Sequence, residues 1–334
     1  MEKINDQLES VADSLLEGLQ TETVHLIVFP RLEKYKVMAD KAGNWKHRVH
    51  ARSMIIALGY ECDRLELAMA ELIWLAGQWE TNQEEWELRD AMRLLEQFIE
   101  YLPAFPNIAL RDINAASESL QTWFETTFRE KHYIHWALFK MNTTLGNLTE
   151  AEAHKTALLE LEQDDALYLN SVSNCPECQK ARVSHYYSSL GMVDKALNIA
   201  KKYLAKPITP CMTAPRTGLA YLLDALLELE RLEDAVLLLP ALTQHLDTPS
   251  KAPMRIVLPL LRYYLETEDR EATEKIVQEY APLAEKLPDR WTALKFYRLT
   301  GNERYTTKSG ISASMRQDFA EKATALQRCF DERK

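Results

Sequence analysis

Residues 181–207 read ARVSHYYSSLGMVDKALNIAKKYLAKP, and residues 222–242 read LLDALLELERLEDAVLLLPAL. In the first stretch an apolar helix pattern reaches Leu190-Gly191, turns over Met192 to Asp194 and restarts at Ala196-Leu197. The second, whose unit spans Arg216 to Leu242, repeats that plan, with Ala235 standing where Ala196 stands, 39 positions on. A looser third copy runs over Met254 to Leu265 and Glu271 to Leu287, with Ala272 following Ala235 by 37. Self-similarity at this period marks stacked helical hairpins, because a single hairpin cannot bury its own apolar face. The expectation is an all-α chain built as an α-solenoid.

Working outward, residues 110–128 carry Ile113, Ala116, Leu120, Trp123 and Phe124 as one helical stripe. A partner helix, Tyr133 to Leu145, ends at Gly146-Asn147, and Thr149 to Leu161 returns. Thr149 with Glu152 three residues later has the form of a capping box. Before residue 110 the hairpins diverge from the period. Helices are expected over residues 3–19, over 24–38 with Pro30 as a kink or a break, over 45–58 closed by Gly59 as a C′ glycine, over 65–79 and over 86–101. Downstream, a helix begins over 291–299, Ser309 to Ser314 is polar, and Met315 to Phe330 reads as a helix covering the end of the stack. The chain thus divides into divergent hairpins (1–105), a repeat core (106–300), and a linker with a capping helix (301–334).

The bulk composition agrees with this plan. Of 334 residues 46% are hydrophobic, enough for a continuous core, and only nine are glycine, too few for a turn-rich β fold. The formal charge is −10, with no Lys/Arg block to grip phosphates, so nucleic acid is not expected as a partner. The opening residues are acidic and amphipathic, unlike an export signal, and no early apolar run approaches the ~20 residues a bilayer requires. A membrane partner is not expected either, and the expected location is cytoplasmic. Five cysteines, an odd number, favour reduced thiols or a metal site over a disulfide framework.

The Leu190-Gly191-x-x-Asp194-x-Ala196 signature, with Tyr203 and Pro207 beyond it, resembles the tetratricopeptide-repeat (TPR) family. Leu145-Gly146 with Ala151 matches the same pattern, whereas Glu230 replaces the turn glycine in the second central unit. The spacing of Cys175, Cys178 and Cys211 is similar to that of uncharacterised bacterial repeat proteins with a CxxC between units. The resemblance implies which side chains face a concave groove. They are Tyr133, Trp136, Lys140 and Thr143; then Cys178, Ala181, His185, Ser188 and Ser189; then Thr217, Ala220, Asp224 and Leu227. Independently of the family, each set falls at i, i+3, i+7 and i+10 or 11, on one helix face.

The first two sets mix polar and aromatic residues, a composition suited to anchoring a peptide. The expected function is therefore a protein- or peptide-binding scaffold or adaptor, with its partner lying on Tyr133, Trp136, Lys140, Arg182, His185, Ser188, Tyr221 and Asp224. The plainer alternative is a partly solvated face with Trp136 packed in the core. A different functional class is a ligand-responsive regulator whose repeats close around a short peptide signal. Negative charge would speed encounter with basic partner segments.

One constellation has ligand spacing. Cys175-x-x-Cys178 and Cys211 lie about one repeat apart, so stacking would let three thiolates hold a structural zinc, with Asp164, Asp165, a residue from the preceding turn or water as fourth ligand. The alternative is three reduced cysteines beside a turn, with no cofactor. His185 would sit roughly 10 Å along the helix from Cys178, too far to share the ion. A metal-dependent enzyme at this cluster would lack acid/base partners. His47-x-x-His50, His132-x-x-His135 and Glu22-x-x-His25 fall short of a di-iron set, which needs two ExxH motifs and two more glutamates, and read as surface or capping histidines. No nucleophile elbow, phosphate loop or zinc-protease motif occurs, so the chain is not expected to be an enzyme.

Overall fold

The structure, a computed structural model, describes residues 24–61, 64–82, 98–127, 131–161, 176–204, 214–243, 254–305 and 310–333. Its helices are α1 Val24–Ala42, α2 Trp45–Glu61, α3 Leu65–Asn82, α4 Leu110–Thr127, α5 Lys131–Leu145, α6 Leu148–Glu160, α7 Pro176–Ser189 and α8 Val193–Leu204. They continue with α9 Ala214–Glu228, α10 Leu232–Val236, α11 Leu239–Thr243, α12 Met254–Glu266, α13 Arg270–Lys286, α14 Arg290–Thr300 and α15 Ala313–Asp331. Short 3-10 turns occupy Leu102–Ala104 and Glu303–Tyr305. No strand occurs among the described residues, and the fold is all-α. No helix among them is long and apolar enough to cross a membrane.

Among the described residues, four hairpins share one turn: α5–α6, α7–α8, α9–α10 and α12–α13. Each first helix ends on a left-handed residue, Gly146 (φ 79°), Gly191 (79°), Glu230 (57°) or Glu268 (62°). The next residue's amide then reaches back to the carbonyl five positions earlier, at 2.9 Å for Asn147, 2.8 Å for Met192, 2.9 Å for Arg231 and 2.9 Å for Asp269. This is the Schellman closure, which satisfies carbonyls that a helix end leaves without partners. Glutamate tolerates the left-handed geometry at some cost in strain, which explains how the turn survives where glycine is absent.

Five residues past each turn residue stands a small buried side chain: Ala151, Ala196, Ala235 and Thr273. Each donates its amide to the first residue after the turn, at 3.0 to 3.1 Å. The third copy is therefore in register through Thr273, not through Ala272 as the sequence spacing indicated. In the second hairpin the buried Ser184 hydroxyl donates to the Ala196 carbonyl at 3.2 Å, so the two helices meet where the small residue stands.

Other local expectations are corrected. Thr149 does not cap α6: the helix starts one residue earlier, after Asn147, whose side-chain amide donates to Asn142 at 3.1 Å. The tight turn leaves no room for a separate capping box. Gly59 does not end α2, which runs on to Glu61. It lets α2 approach α3, since a Cβ there would meet the Arg64 carbonyl at 3.0 Å and the Ala68 Cβ at 3.2 Å. Pro30 neither ends nor interrupts α1. The return helix of the third hairpin, by contrast, is broken into α10 and α11 ahead of Pro240, and Leu232, Val236 and Leu237 are exposed there.

The first helices of successive hairpins pack on one another, α7 on α9, α9 on α12 and α12 on α14, while each return helix packs on its own first helix. One large apolar core runs from Trp136 to Phe330 along these contacts. A second joins α3, residues 99–104 and α5, and a third lies between α1 and α2. Val183 and Trp291 pack against both of the first two cores. The second contact is long-range in sequence, because α14 meets the Leu102–Ala104 turn. Arg333 reinforces it by donating from Nη1 to the Pro103 carbonyl at 2.9 Å, across 230 positions of chain.

Candidate functional site

The closure of α14 onto residues 102–104 encloses a cleft of about 370 Å³. One wall is built by α5, α7 and α9, and the other by Glu100, Tyr101 and the start of α14, with Arg255 of α12 also at its edge. The size suits a few residues of an extended peptide or a small molecule.

Lys140 organises the first wall. Its ammonium sits 3.2 Å from a Glu100 carboxylate oxygen, both side chains being only 15–16% exposed. It donates to His185 Nε2 at 3.2 Å, which leaves the neutral ring with its proton on Nδ1. It also lies 4.7 Å from the Tyr221 ring centroid and 5.5 Å from that of Trp136. His185 stacks on Tyr221 with centroids 3.6 Å apart and planes 8° from parallel, and meets Trp136 edge-on at 5.6 Å. Three helices thus meet through one cation and three rings: the charge lies over the faces of Trp136 and Tyr221 and against the in-plane Nε2 of His185.

Along α9, Tyr221, Asp224, Ala225 and Glu228 face the cleft at helical spacing. Asp224 accepts from Arg262 of α12 at 2.8 Å, and the same guanidinium group lies 3.8 Å from Glu228. Burial, together with the adjacent Asp224 charge, raises the Glu228 carboxyl above its ordinary value. Across the cleft, Asp289 caps α14 by accepting from the Thr292 amide at 3.0 Å and its hydroxyl at 2.6 Å. Burial raises its carboxyl too, outweighing those two hydrogen bonds. Lys295, on the same helix, is exposed and lies 6.0 Å from the Trp291 ring.

The residues expected from sequence are distributed as follows. Lys140, Ser188, Tyr221 and Asp224 line the cleft, and His185 braces Tyr221 from behind. Trp136 is 6% exposed and packs on Phe139 and Tyr186, forming the floor beneath Lys140, which is the core position of the plainer alternative. Ser188 turns its hydroxyl back to the Ser184 carbonyl at 2.6 Å, so it contributes shape. The side chains of Tyr133, Arg182 and Cys178 lie outside the described residues, as do Cys175 and Cys211 entirely. The zinc reading therefore falls outside what the structure describes.

His47 is not a surface residue. It is buried, with Nδ1 2.8 Å from the hydroxyl of fully buried Tyr35, and His50 reaches the same hydroxyl at 3.5 Å. His135 pairs instead with His154 of the return helix, Nδ1 to Nδ1 at 3.0 Å. Burial lowers the pKa of His154.

The far wall was missed. Glu100, Tyr101, Asp289, Trp291 and Lys295 enter through a contact between distant parts of the chain, which a repeat register does not encode. Only Asp289 carried a local signal, an Asp ahead of an apolar-periodic run. Compared with protein-family models, curated proteins and solved structures, the chain matches none.

Proposed function

We propose that the chain is a protein- or peptide-binding scaffold: a TPR-like α-solenoid that takes an extended segment of its partner into the cleft. The observation that carries this reading is the convergence of Lys140, Ser188, Tyr221 and Asp224, from three successive hairpins, on one concave space. Four turns of identical hydrogen bonding, each followed by a small buried residue, support a stack in which every unit presents the same face. Rings and ion pairs already held by packing lower the ordering cost of binding, as preorganised sites do. We assign it no catalytic step, either no cofactor or a structural zinc at Cys175, Cys178 and Cys211, and a cytoplasmic location.

Site-specific photo-crosslinking in cells tests it. A benzophenone side chain placed at Ala225 or Thr292, in the cleft, is expected to give discrete protein or peptide adducts. The same group at Val236 or Lys202, outside the cleft, is expected to give none of them. Identical adducts from both sets would refute the cleft as the binding site.

A second reading, a regulator that closes around a short peptide signal, is favoured by one feature. The cleft's far wall is held through the limited contact of Trp291 and Arg333 with the region of Pro103. Such a contact is suited to opening and closing.

A further inference from the structure

We infer that the chain associates with a second copy of itself, head to tail, the basic outer face of α1 on one molecule resting on the acidic, apolar patch of α10 on the next. The inference does not depend on the cleft. Residues 24–61 hold seven Lys/Arg and three Asp/Glu, a formal +4 in a chain of −10, which leaves −14 elsewhere. Charge so divided favours contact between unlike parts of two molecules.

On α1 the division is local. Val28, Leu32, Tyr35 and Ala39 are buried in the core between α1 and α2, and the exposed side carries Pro30, Arg31, Lys34, Val37 and Lys41 at helical spacing. The two carboxylates of α1 are engaged already, Glu33 by Lys36 at 2.7 Å and Asp40 by Arg48 at 3.0 Å and Arg52 at 2.8 Å. Arg31, Lys34 and Lys41 make no ion pair among the described residues.

The opposite face lies where the return helix of the third hairpin begins and breaks. Leu229, Leu232, Val236 and Leu237 are 38–55% exposed, interleaved with exposed Glu230 and Glu233. The one cation of residues 229–237, Arg231, is held by Asp194 at 2.7 Å and Asp234 at 2.6 Å. Even with Lys195 counted, which lies over the Tyr187 ring at 4.1 Å, four carboxylates stand against two cations. Glu230 and Glu233 make no ion pair among the described residues.

Each face therefore offers what the other lacks. The four aliphatic side chains pack on Pro30, Val37 and the stems of Arg31 and Lys34, while the basic heads reach Glu230 and Glu233. Both faces are exposed, so they do not meet within one molecule. Every copy carries one of each, and the contact is heterologous, building open chains or rings rather than a two-fold dimer. Two short helix faces bury roughly 1,000 Å² at most, the low end for specific contacts, so a dissociation constant on the order of 100 μM is expected.

The test is sedimentation equilibrium of the full chain over about 10 to 500 μM, a range that brackets this constant. Wild type is expected to show a mass that rises with concentration. Raising salt from about 0.1 to 1 M shortens the screening length from about 10 to about 3 Å and is expected to weaken association at least about three-fold. Arg31→Glu with Lys34→Glu, or Glu230→Lys with Glu233→Lys, is expected to weaken it at least about ten-fold, since two exposed ion pairs become repulsions. Mixing these two variants is expected to restore association to within about three-fold of wild type, because each keeps the face the other has lost. Lys286→Glu with Arg328→Glu, exposed on α13 and α15, makes the same change in net charge as the α1 variant and is expected to leave association unaltered. Matching thermal midpoints show that the variants are folded. A chain that stays monomeric throughout, loss of association in the Lys286 and Arg328 control, or a mixture no stronger than either variant alone overturns the inference. So does an α1 exchange that abolishes association while the α10 exchange does not, since α1 then meets another acidic surface. In the crosslinking experiment, benzophenone at Val236 is expected to give an adduct of twice the chain mass and benzophenone at Ala225 none, so that self-association and the groove fail separately.

Discussion

Trp291→Ala separates the closure of the cleft from the packing of the repeats. Trp291 is half-buried, meets Phe330 edge-on at 5.3 Å and packs against both of the larger cores. Truncating a fully buried tryptophan costs about 3–5 kcal/mol, so this half-buried ring is expected to cost about 2 kcal/mol. The location of the loss is the more informative quantity. Without the ring, α14 retains its contacts with α12, α13 and α15 but loses its main apolar contact to residues 99–104. Hydrogen exchange followed by mass spectrometry should show faster exchange in 98–105 and 290–300, with α7 and α9 unchanged, and small-angle scattering should show a larger radius. Leu222→Ala is the control, because Leu222 is fully buried on α9 and its truncation costs about 2–5 kcal/mol. That variant should leave exchange in 98–105 unaltered. If Trp291→Ala loses the expected stability without any local change in 98–105, or if Leu222→Ala produces the same change, the closure is not held as described.

Three further outcomes follow from single features. Lys140→Met leaves the Glu100 carboxylate partly buried without its cation and is expected to cost about 1–2 kcal/mol; adding Glu100→Gln should restore about 1 kcal/mol, a coupling that a double-mutant cycle in urea measures. Glu230→Gly relieves a left-handed residue and is expected to stabilise by about 0.5 kcal/mol. Conversely, Gly191→Ala, where a Cβ would meet nothing within 4 Å, should cost about 1 kcal/mol from backbone strain alone, as thermal denaturation would show. The third concerns pH: burial raises the Asp289 carboxyl above its ordinary 3.8, so the folded state holds that proton more tightly than the unfolded state does. The stability this group contributes is present below 3.8 and is lost as pH rises through the folded value. Asp289→Asn keeps a capping side chain without the charge, so wild-type stability relative to this variant should fall from pH 3.8 toward neutrality, read as urea midpoints.

The repeat core was legible because its signals are local. A turn glycine, an alanine five residues later and an apolar face at helical spacing are all properties of one hairpin; of the residues singled out from them, Lys140, Ser188, Tyr221 and Asp224 line the cleft. Glu268 and Thr273 show where that legibility ends. The third copy keeps the turn's hydrogen bonds and the buried position while changing both residue types, so an alignment on alanine slipped by one. Gly59 misled for a related reason. A glycine needed for positive φ and one needed for close approach are identical in sequence; Gly59 is of the second kind, since a Cβ there would meet the Arg64 carbonyl at 3.0 Å and the Ala68 Cβ at 3.2 Å.

The far wall of the cleft raises a different difficulty. A small residue at the crossing and a turn of constant geometry set how the two helices of one hairpin meet, but no single hairpin specifies where α14 meets residues 102–104. That outcome depends on the packing of α7 on α9, α9 on α12 and α12 on α14, and small errors at each step add. The contact of Arg333 with the Pro103 carbonyl is where the accumulated geometry becomes a specific hydrogen bond. Arg333 is costly to bury, since desolvation lowers its pKa and its Nε has no partner among the described residues. A donor left in that state yields little net stability. Under the second reading proposed above, this contact would be the one that opens when no ligand spans the cleft, since a ligand that touches both walls shifts a balance only by its differential contact.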